Sequence, residues 1–211
     1  MKPRLLMADD HTLVLEGIRK LLESEVELLG TAEDGRALLS MAEQMRPDVI
    51  LLDISMPLLN GIEACRQVVK AMPNTRVIFL TMHADVVYVE EALQAGGMGY
   101  LLKRSAASEL INAIHTVMRG KKYVTPLVDW TETATAGRRR NTTAIVERLS
   151  PRQREVLQLV AEGRANKEIA ALLQVSEKTV DFHKACIKRE LMLTSTAELT
   201  QFAIKHRIIA N

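Results

Sequence analysis

Three carboxylates, a hydroxyl and an ammonium stand where apolar runs end in the first half of this chain. Leu5-Leu6-Met7-Ala8 leads into Asp9 and Asp10, and Val49-Ile50-Leu51-Leu52 ends on Asp53. Val77-Ile78-Phe79-Leu80 ends on Thr81, and Tyr100-Leu101-Leu102 ends on Lys103. Carboxylates brought together repel, so they ionise jointly only with a cation among them. Oxygen donors that leave room for water suit Mg²⁺, which takes one or two carboxylates plus phosphate oxygens. A carboxylate beside that ion can attack a phosphoryl group and form an aspartyl phosphate. The metal, an ammonium and a hydroxyl then neutralise the transferring oxygens. In this scheme Asp53 is the nucleophile, Asp10 and Asp53 are metal ligands, and Asp9 is a ligand through water. Lys103 pairs with the phosphoryl group and Thr81 bonds it. Each residue also has a plainer reading: Asp9 and Asp10 as helix N-caps, Thr81 as a strand-end threonine, Lys103 as a surface lysine. Their placement at the ends of four separate runs favours the pocket.

Such convergence requires the four runs to be parallel strands of one sheet. They are apolar without alternation, as strands buried on both faces are. Met56-Pro57 and Asn60-Gly61 force a turn just after Asp53. Helical spacing of apolar residues predicts helices over 12–23, 35–45, 60–71, 85–95 and 106–119, and a further strand over 26–32. Five repeats of strand then helix predict an α/β domain with a doubly wound, five-stranded parallel sheet. Right-handed crossovers carry the strand C-termini to one edge, where open α/β sheets bind their ligands.

The rest of the chain differs. Of its 211 residues, 1–137 carry 14 Lys/Arg against 18 Asp/Glu, whereas 138–211 carry 14 against 8. A basic third on an acidic body points to a nucleic-acid partner for that third. Residues 123–147 lose periodicity: Thr131 to Gly137 is small and polar, and Arg138-Arg139-Arg140 adds a charge run. They read as a linker, with the three arginines also within reach of DNA phosphates. Trp130, the only tryptophan, has no assigned role. No apolar run approaches the roughly 20 residues of a membrane span, and no signal-peptide pattern precedes the first strand. Cys65 and Cys186, without metal-ligand spacing, read as reduced buried thiols in a cytosolic protein.

Residues 148–211 show only helices. Ser150 caps Pro151 and begins the first helix, which Gly163 ends. Asn166 to Leu173 forms a short second helix, and Ser176 caps a third after a tight turn at Gln174-Val175. Thr196 to His206 forms a fourth. A short helix, a turn of about three residues and a longer helix in a basic domain is a helix-turn-helix. In the third helix Val180, Ile187 and Leu191 share the core stripe, and Lys178, Asp181, Phe182, Ala185 and Arg189 lie opposite. Placed in the major groove, that face meets base edges while Lys184 and Lys188 meet phosphates. Asn166 and Lys167 hold the backbone at the second helix's N-terminus.

Asp9-Asp10, Asp53 with Met56-Pro57 and Gly61, Thr81, and Gly99-Tyr100-Leu101-Leu102-Lys103 resemble the receiver domain of two-component response regulators, over residues 1–122. Leu149-Ser150-Pro151-Arg152 through Glu155-Val156-Leu157, then Asn166-Lys167-Glu168-Ile169-Ala170, Ser176-Glu177-Lys178-Thr179-Val180 and His183 resemble the LuxR-type helix-turn-helix. Together they resemble the NarL/FixJ family. The resemblance implies a CheY-like sheet with strand order 2-1-3-4-5 and Asp53 phosphorylated by a sensor histidine kinase. It implies Mg²⁺ on Asp9, Asp10, Asp53 and the Ser55 backbone carbonyl, with no enzymatic activity beyond self-phosphorylation and slow autodephosphorylation. Thr81 and Tyr100 would be the switch, Tyr100 turning inward, and Ser55 and His83 would tune phosphoryl lifetime. Thr179 and His183 would join the DNA contacts. The last helix, with Ala197, Leu199, Phe202, Ala203 and Ile204, would pair two copies on double-stranded DNA in the bacterial cytoplasm, away from any membrane.

Three positions depart from the family. Arg104 stands where receivers often have proline, Met192 where glycine commonly ends the third helix, and Asp181 where a basic or small polar residue is usual. An acid repels phosphates yet accepts from a cytosine amino group, so Asp181 predicts an unusual target or weaker binding. The rival reading is a phosphotransfer or protein-interaction module whose helix-turn-helix does not bind DNA specifically. A haloacid-type phosphohydrolase is disfavoured, because it needs a second Asp where Ser55 stands.

Overall fold

A computed structural model describes residues 2–105, 107–130, 145–146 and 148–209. The chain divides into two compact units, Met1–Thr135 and Ala136–Asn211. Arg138 to Arg140 and most of the expected linker lie outside the described residues.

In the first unit, β1 (Arg4–Ala8), α1 (Thr12–Leu22), β2 (Glu27–Ala32), α2 (Gly35–Met45) and β3 (Val49–Leu52) lead into α3 (Gly61–Ala71). Then follow β4 (Arg76–Thr81), α4 (Val86–Gln94), β5 (Gly99–Leu102), α5 (Ala107–Met118) and β6 (Tyr123–Val124). The sheet order is β2-β1-β3-β4-β5-β6, and each pairing is parallel. Helices on both faces explain why the inner strands are apolar throughout. One core gathers Leu6, Ile50, Leu52, Phe79 and Tyr100 with α2 to α4. The other gathers Leu5, Met7, Leu51, Ile78 and Leu101 with α1 and α5.

The sheet has six strands rather than the expected five. The Tyr123 N–H donates to the Met98 carbonyl and the Thr125 N–H to the Tyr100 carbonyl, each at 2.9 Å. These bonds satisfy the outer edge of β5, which five strands would leave unpaired. The segment assigned to the linker therefore begins inside the receiver sheet, and Trp130 packs against the core containing Val128.

In the second unit, α6 (Pro151–Ala161) opens on a capping box between Ser150 and Gln153. After Gly163, whose positive φ of 80° turns the chain, come α7 (Asn166–Leu173), α8 (Glu177–Leu191) and α9 (Thr196–Lys205). Gln174 ends α7 in the left-handed region and Ser176 caps α8 through the Thr179 N–H, which makes the tight turn between them. The Arg152 guanidinium pairs with Glu155 at 3.0 Å and donates to the Leu173 carbonyl, tying α6 to the end of α7. Val180, Ile187 and Leu191 are buried as the stripe requires.

Met192, the C-cap of α8, has φ 55° and is 88% exposed. A side chain in the left-handed region costs roughly 1–2 kcal/mol, part of which glycine gives back as unfolded-chain entropy. Met192→Gly is expected to stabilise the fold by about 0.5–1 kcal/mol, read from the denaturant midpoint of the full chain.

Candidate functional site

Parallel register brings the tips of β1, β3, β4 and β5 to one edge of the sheet. Asp53 follows β3, and its N–H donates to the Ala8 carbonyl at 2.9 Å, which places it beside Asp9. A Cβ at Gly61 would overlap the Asp53 carbonyl oxygen, so only glycine lets α3 start this close behind the acid. Lys103 follows β5, and its ammonium bridges Asp9 at 2.7 Å and Asp53 at 2.9 Å. Oxygens of Asp9, Asp10 and Asp53 and a ring nitrogen of His11 lie within 4.8 Å of one another. Three strand ends, those of β1, β3 and β5, thus deliver three acids and a cation to one point.

Neither acid of the Asp9-Asp10 pair caps α1. Its N-cap is His11, without a side-chain capping bond. The His11 N–H donates to Asp9 at 2.9 Å, and its Nδ1 lies 3.1 Å from Asp9 and 2.8 Å from Asp10. Sequence reasoning missed His11, although its position directly after two acids was the available signal.

Asp9 and Asp53 are nearly fully buried, and Asp10 is the more open. Burial pushes the Asp53 carboxyl above the usual carboxylate range, against the pull of the Lys103 bond and charge; Asp9 adds to the upward push. Burial alone would lower the Lys103 ammonium, but its bonds to Asp9 and Asp53 hold it above the usual lysine range. A hard, all-oxygen carboxylate set beside open solvent matches the donors that Mg²⁺ prefers.

Thr81, Tyr100, His83 and Ser55 form a connected set beside the acids. Thr81 is fully buried and its hydroxyl accepts from the His83 N–H at 3.4 Å. Tyr100 faces inward, fully buried, and donates its hydroxyl to the His83 carbonyl at 2.8 Å. Burial raises its phenol pKa, so it stays a neutral donor. The His83 ring bonds the Ser55 hydroxyl at 2.8 Å and stacks on Tyr88 with centroids 4.0 Å apart. The His83 ring and backbone thus connect Ser55, Tyr88 and Tyr100.

The second unit presents the α8 face expected from periodicity. Phe182 is 64% exposed; Lys178, Asp181, Ala185 and Arg189 are exposed, and His183, Lys184 and Lys188 are half-buried. Thr179 is drawn into the cap, its hydroxyl 2.9 Å from that of Ser176. Asp181 is engaged by the Asn166 amide at 2.6 Å, and the Lys184 ammonium donates to the same amide's oxygen at 3.0 Å. Lys167 is exposed at the start of α7. In α9, Leu199 and Ala203 are core, Phe202 stacks on His206, and Ala197 is exposed, so the stripe offers less free apolar surface than its sequence suggests. Of the two thiols Cys65 is buried, but Cys186 is only half-buried on α8.

Three clustered acids, two of them bridged by a lysine, at the tips of a doubly wound sheet, together with a helix-turn-helix unit, define a receiver joined to a DNA-reading module. Residues 5–115 match the response regulator receiver domain, and 147–203 match the bacterial regulatory proteins of the luxR family. The chain belongs to the two-component response regulators with a LuxR-type output domain. It is 36% identical over 211 residues to the transcriptional regulatory protein MctR of Rhizobium johnstonii, covering 99% of this chain and 96% of that one. It is 36% identical to the oxygen regulatory protein NreC of Staphylococcus carnosus, covering 98% and 99%. Among solved structures it resembles Salmonella typhimurium RcsB, with TM-score 0.56 and 30% identity over 95% of this chain and 97% of that one. A structure of an RcsB–DNA complex matches with TM-score 0.57 and 31% identity, covering 96% and 98%.

Proposed function

We propose that a sensor histidine kinase phosphorylates Asp53 and that the acyl phosphate raises the affinity of paired α8 helices for a specific duplex. The Lys103 ammonium held between Asp9 and Asp53 carries this reading, because it charges a buried nucleophile and stands ready for a phosphoryl oxygen. One Asp53 oxygen forms the bond to phosphorus as the bond to the donor's imidazole nitrogen breaks, and the imidazole leaves with the electron pair. Asp10 and Asp53, with Asp9 through water and the Ser55 carbonyl, would hold Mg²⁺, which supplies positive charge to the transferring oxygens. Lys103 pairs with one phosphoryl oxygen and the Thr81 hydroxyl turns to another. That movement releases the His83 N–H from Thr81 and bears on Tyr100 through the His83 carbonyl. Phosphorylation adds a charge of about −1.5 to −2; α4 and α5 then shift, the basic domain is freed, and dimers form.

In the output domain, α8 enters the major groove with Lys178, Thr179, Phe182, His183, Ala185 and Arg189 near the bases. Lys184, Lys188, Asn166 and Lys167 lie near phosphates. The half-buried Phe202 and Ile204 beside exposed Ala197 on α9 support a dimer seam there. RcsB is solved as dimers on DNA, and the same arrangement suits this chain. Among the described residues no helix is long and apolar enough to cross a membrane, and the proposed site of action is the bacterial cytoplasm.

Beryllofluoride with Mg²⁺ tests the coupling. It is expected to tighten binding to a duplex selected from a random pool by about tenfold or more, with a matching rise in dimer, measured by gel shift and sedimentation. Affinity and oligomeric state that ignore beryllofluoride would sink the switch. A shallow salt dependence would favour the protein-interaction reading, since phosphate contacts give a steep log–log slope.

A further inference from the structure

Asp181 is an acid on the face that meets DNA, and it has a partner across the turn. Its Oδ1 accepts from the Asn166 amide nitrogen at 2.6 Å, while the oxygen of that amide accepts from the Lys184 ammonium at 3.0 Å. Asn166 is the first residue of α7, whereas Asp181 and Lys184 are one turn apart on α8. A side-chain amide donates only from nitrogen and accepts only at oxygen. Turned over, it would set its oxygen against the carboxylate and its NH₂ against the ammonium, two repulsive contacts. The network is satisfied in one orientation alone, and both bonds are charge-assisted and correspondingly strong.

We propose that Asp181 is a positioning residue and not a reader of cytosine. It fixes the Asn166 amide, and the amide oxygen holds Lys184 beside the N-terminus of α7, where ammonium and helix terminus together meet one phosphate. Base reading on this face then rests with Lys178, Phe182, Ala185 and Arg189. The assignment rests on the reading of α8 as the groove helix.

The sign of one substitution separates the possibilities. Removing an acid from a DNA-facing surface should, by charge alone, tighten binding to every duplex. If Asp181 positions Lys184, Asp181→Ala in the full chain weakens binding about fivefold instead, equally for the selected duplex and an unrelated one. The slope of log K against log salt falls by about 0.9, one phosphate contact. The duplex sequence selected from a random pool stays the same. Asp181→Asn, whose carbonyl still accepts from Asn166, restores affinity and slope. In a Lys184→Ala background, Asp181→Ala causes no further weakening. A changed base preference at one position, or tighter binding of Asp181→Ala to all duplexes, would overturn the proposal and leave the DNA reading intact. A wild-type chain without sequence-specific, salt-dependent binding would remove that reading and the proposal with it.

Discussion

Replacing Asp53 with Asn is expected to abolish the base-labile phosphoryl label that a small phosphodonor leaves on this chain. Asn is nearly isosteric but lacks the anionic oxygen that attacks phosphorus; Asp9 is equally buried and also contacts Lys103, so the variant tests which of the two acids is the nucleophile. Each acid accepts one backbone N–H, Asp53 from Ile54 at 2.7 Å and Asp9 from His11 at 2.9 Å, but the Asp9 oxygen also faces the His11 ring at 3.1 Å, which leaves Asp53 the less encumbered of the two. The beryllofluoride response of DNA binding should vanish with the label. A label that persists on the variant would place the nucleophile elsewhere. The same substitution has a stability signature with a definite sign. The Asp53 carboxyl lies above its ordinary range because burial penalises the charged form. The folded chain therefore binds this proton more tightly than the unfolded chain. The stabilisation is complete below the ordinary aspartate range and is lost as pH rises through the raised value. The variant, having no such group, should lose less stability than the wild type as pH rises from the ordinary aspartate range through the raised value, followed by denaturant midpoints.

Lys103→Met is expected to lower stability by about 3 kcal/mol at neutral pH, because it leaves two buried carboxylates without their shared cation. The lysine is 8% exposed and each acid 4%, so water replaces little of the lost charge. Its bond and charge are what hold Asp53 down; without them the carboxyl rises further, and the pH window of Asp53-linked instability extends upward. The deficit against wild type should therefore shrink on acidification, as protons take over from the ammonium. Added Mg²⁺ should restore part of it at neutral pH, as any ligand of the folded state alone does. Phosphorylation of the variant should slow by about 10²–10³, the usual cost of one charge-stabilising group. Equal stability of variant and wild type across the pH range would mean that the lysine does not neutralise the pocket.

Much of this arrangement is legible locally. A strand buried on both faces must be apolar throughout, so the four runs declare themselves as inner strands, and parallel pairing then carries their tips to one edge. The same logic exposes the α8 stripe of Val180, Ile187 and Leu191, and Ser150 and Ser176 mark helix starts by the N–H groups that they cap. Period and capping act within a few residues of one another, which is why the elements and most pocket members follow from the amino-acid order.

What only the tertiary structure decides are contacts between residues that no period relates. Strand β6 pairs over two residues, too few to write an alternation, and forms because the β5 edge offers unpaired backbone groups. The inward Tyr100 depends on a carbonyl 17 residues away, at His83. The fate of Asp181 depends on Asn166, 15 residues earlier, and on the packing of α7 against α8. Amino-acid order places an acid on the outer face of α8, but only the packing of α7 against α8 sets its Oδ1 against the Asn166 amide.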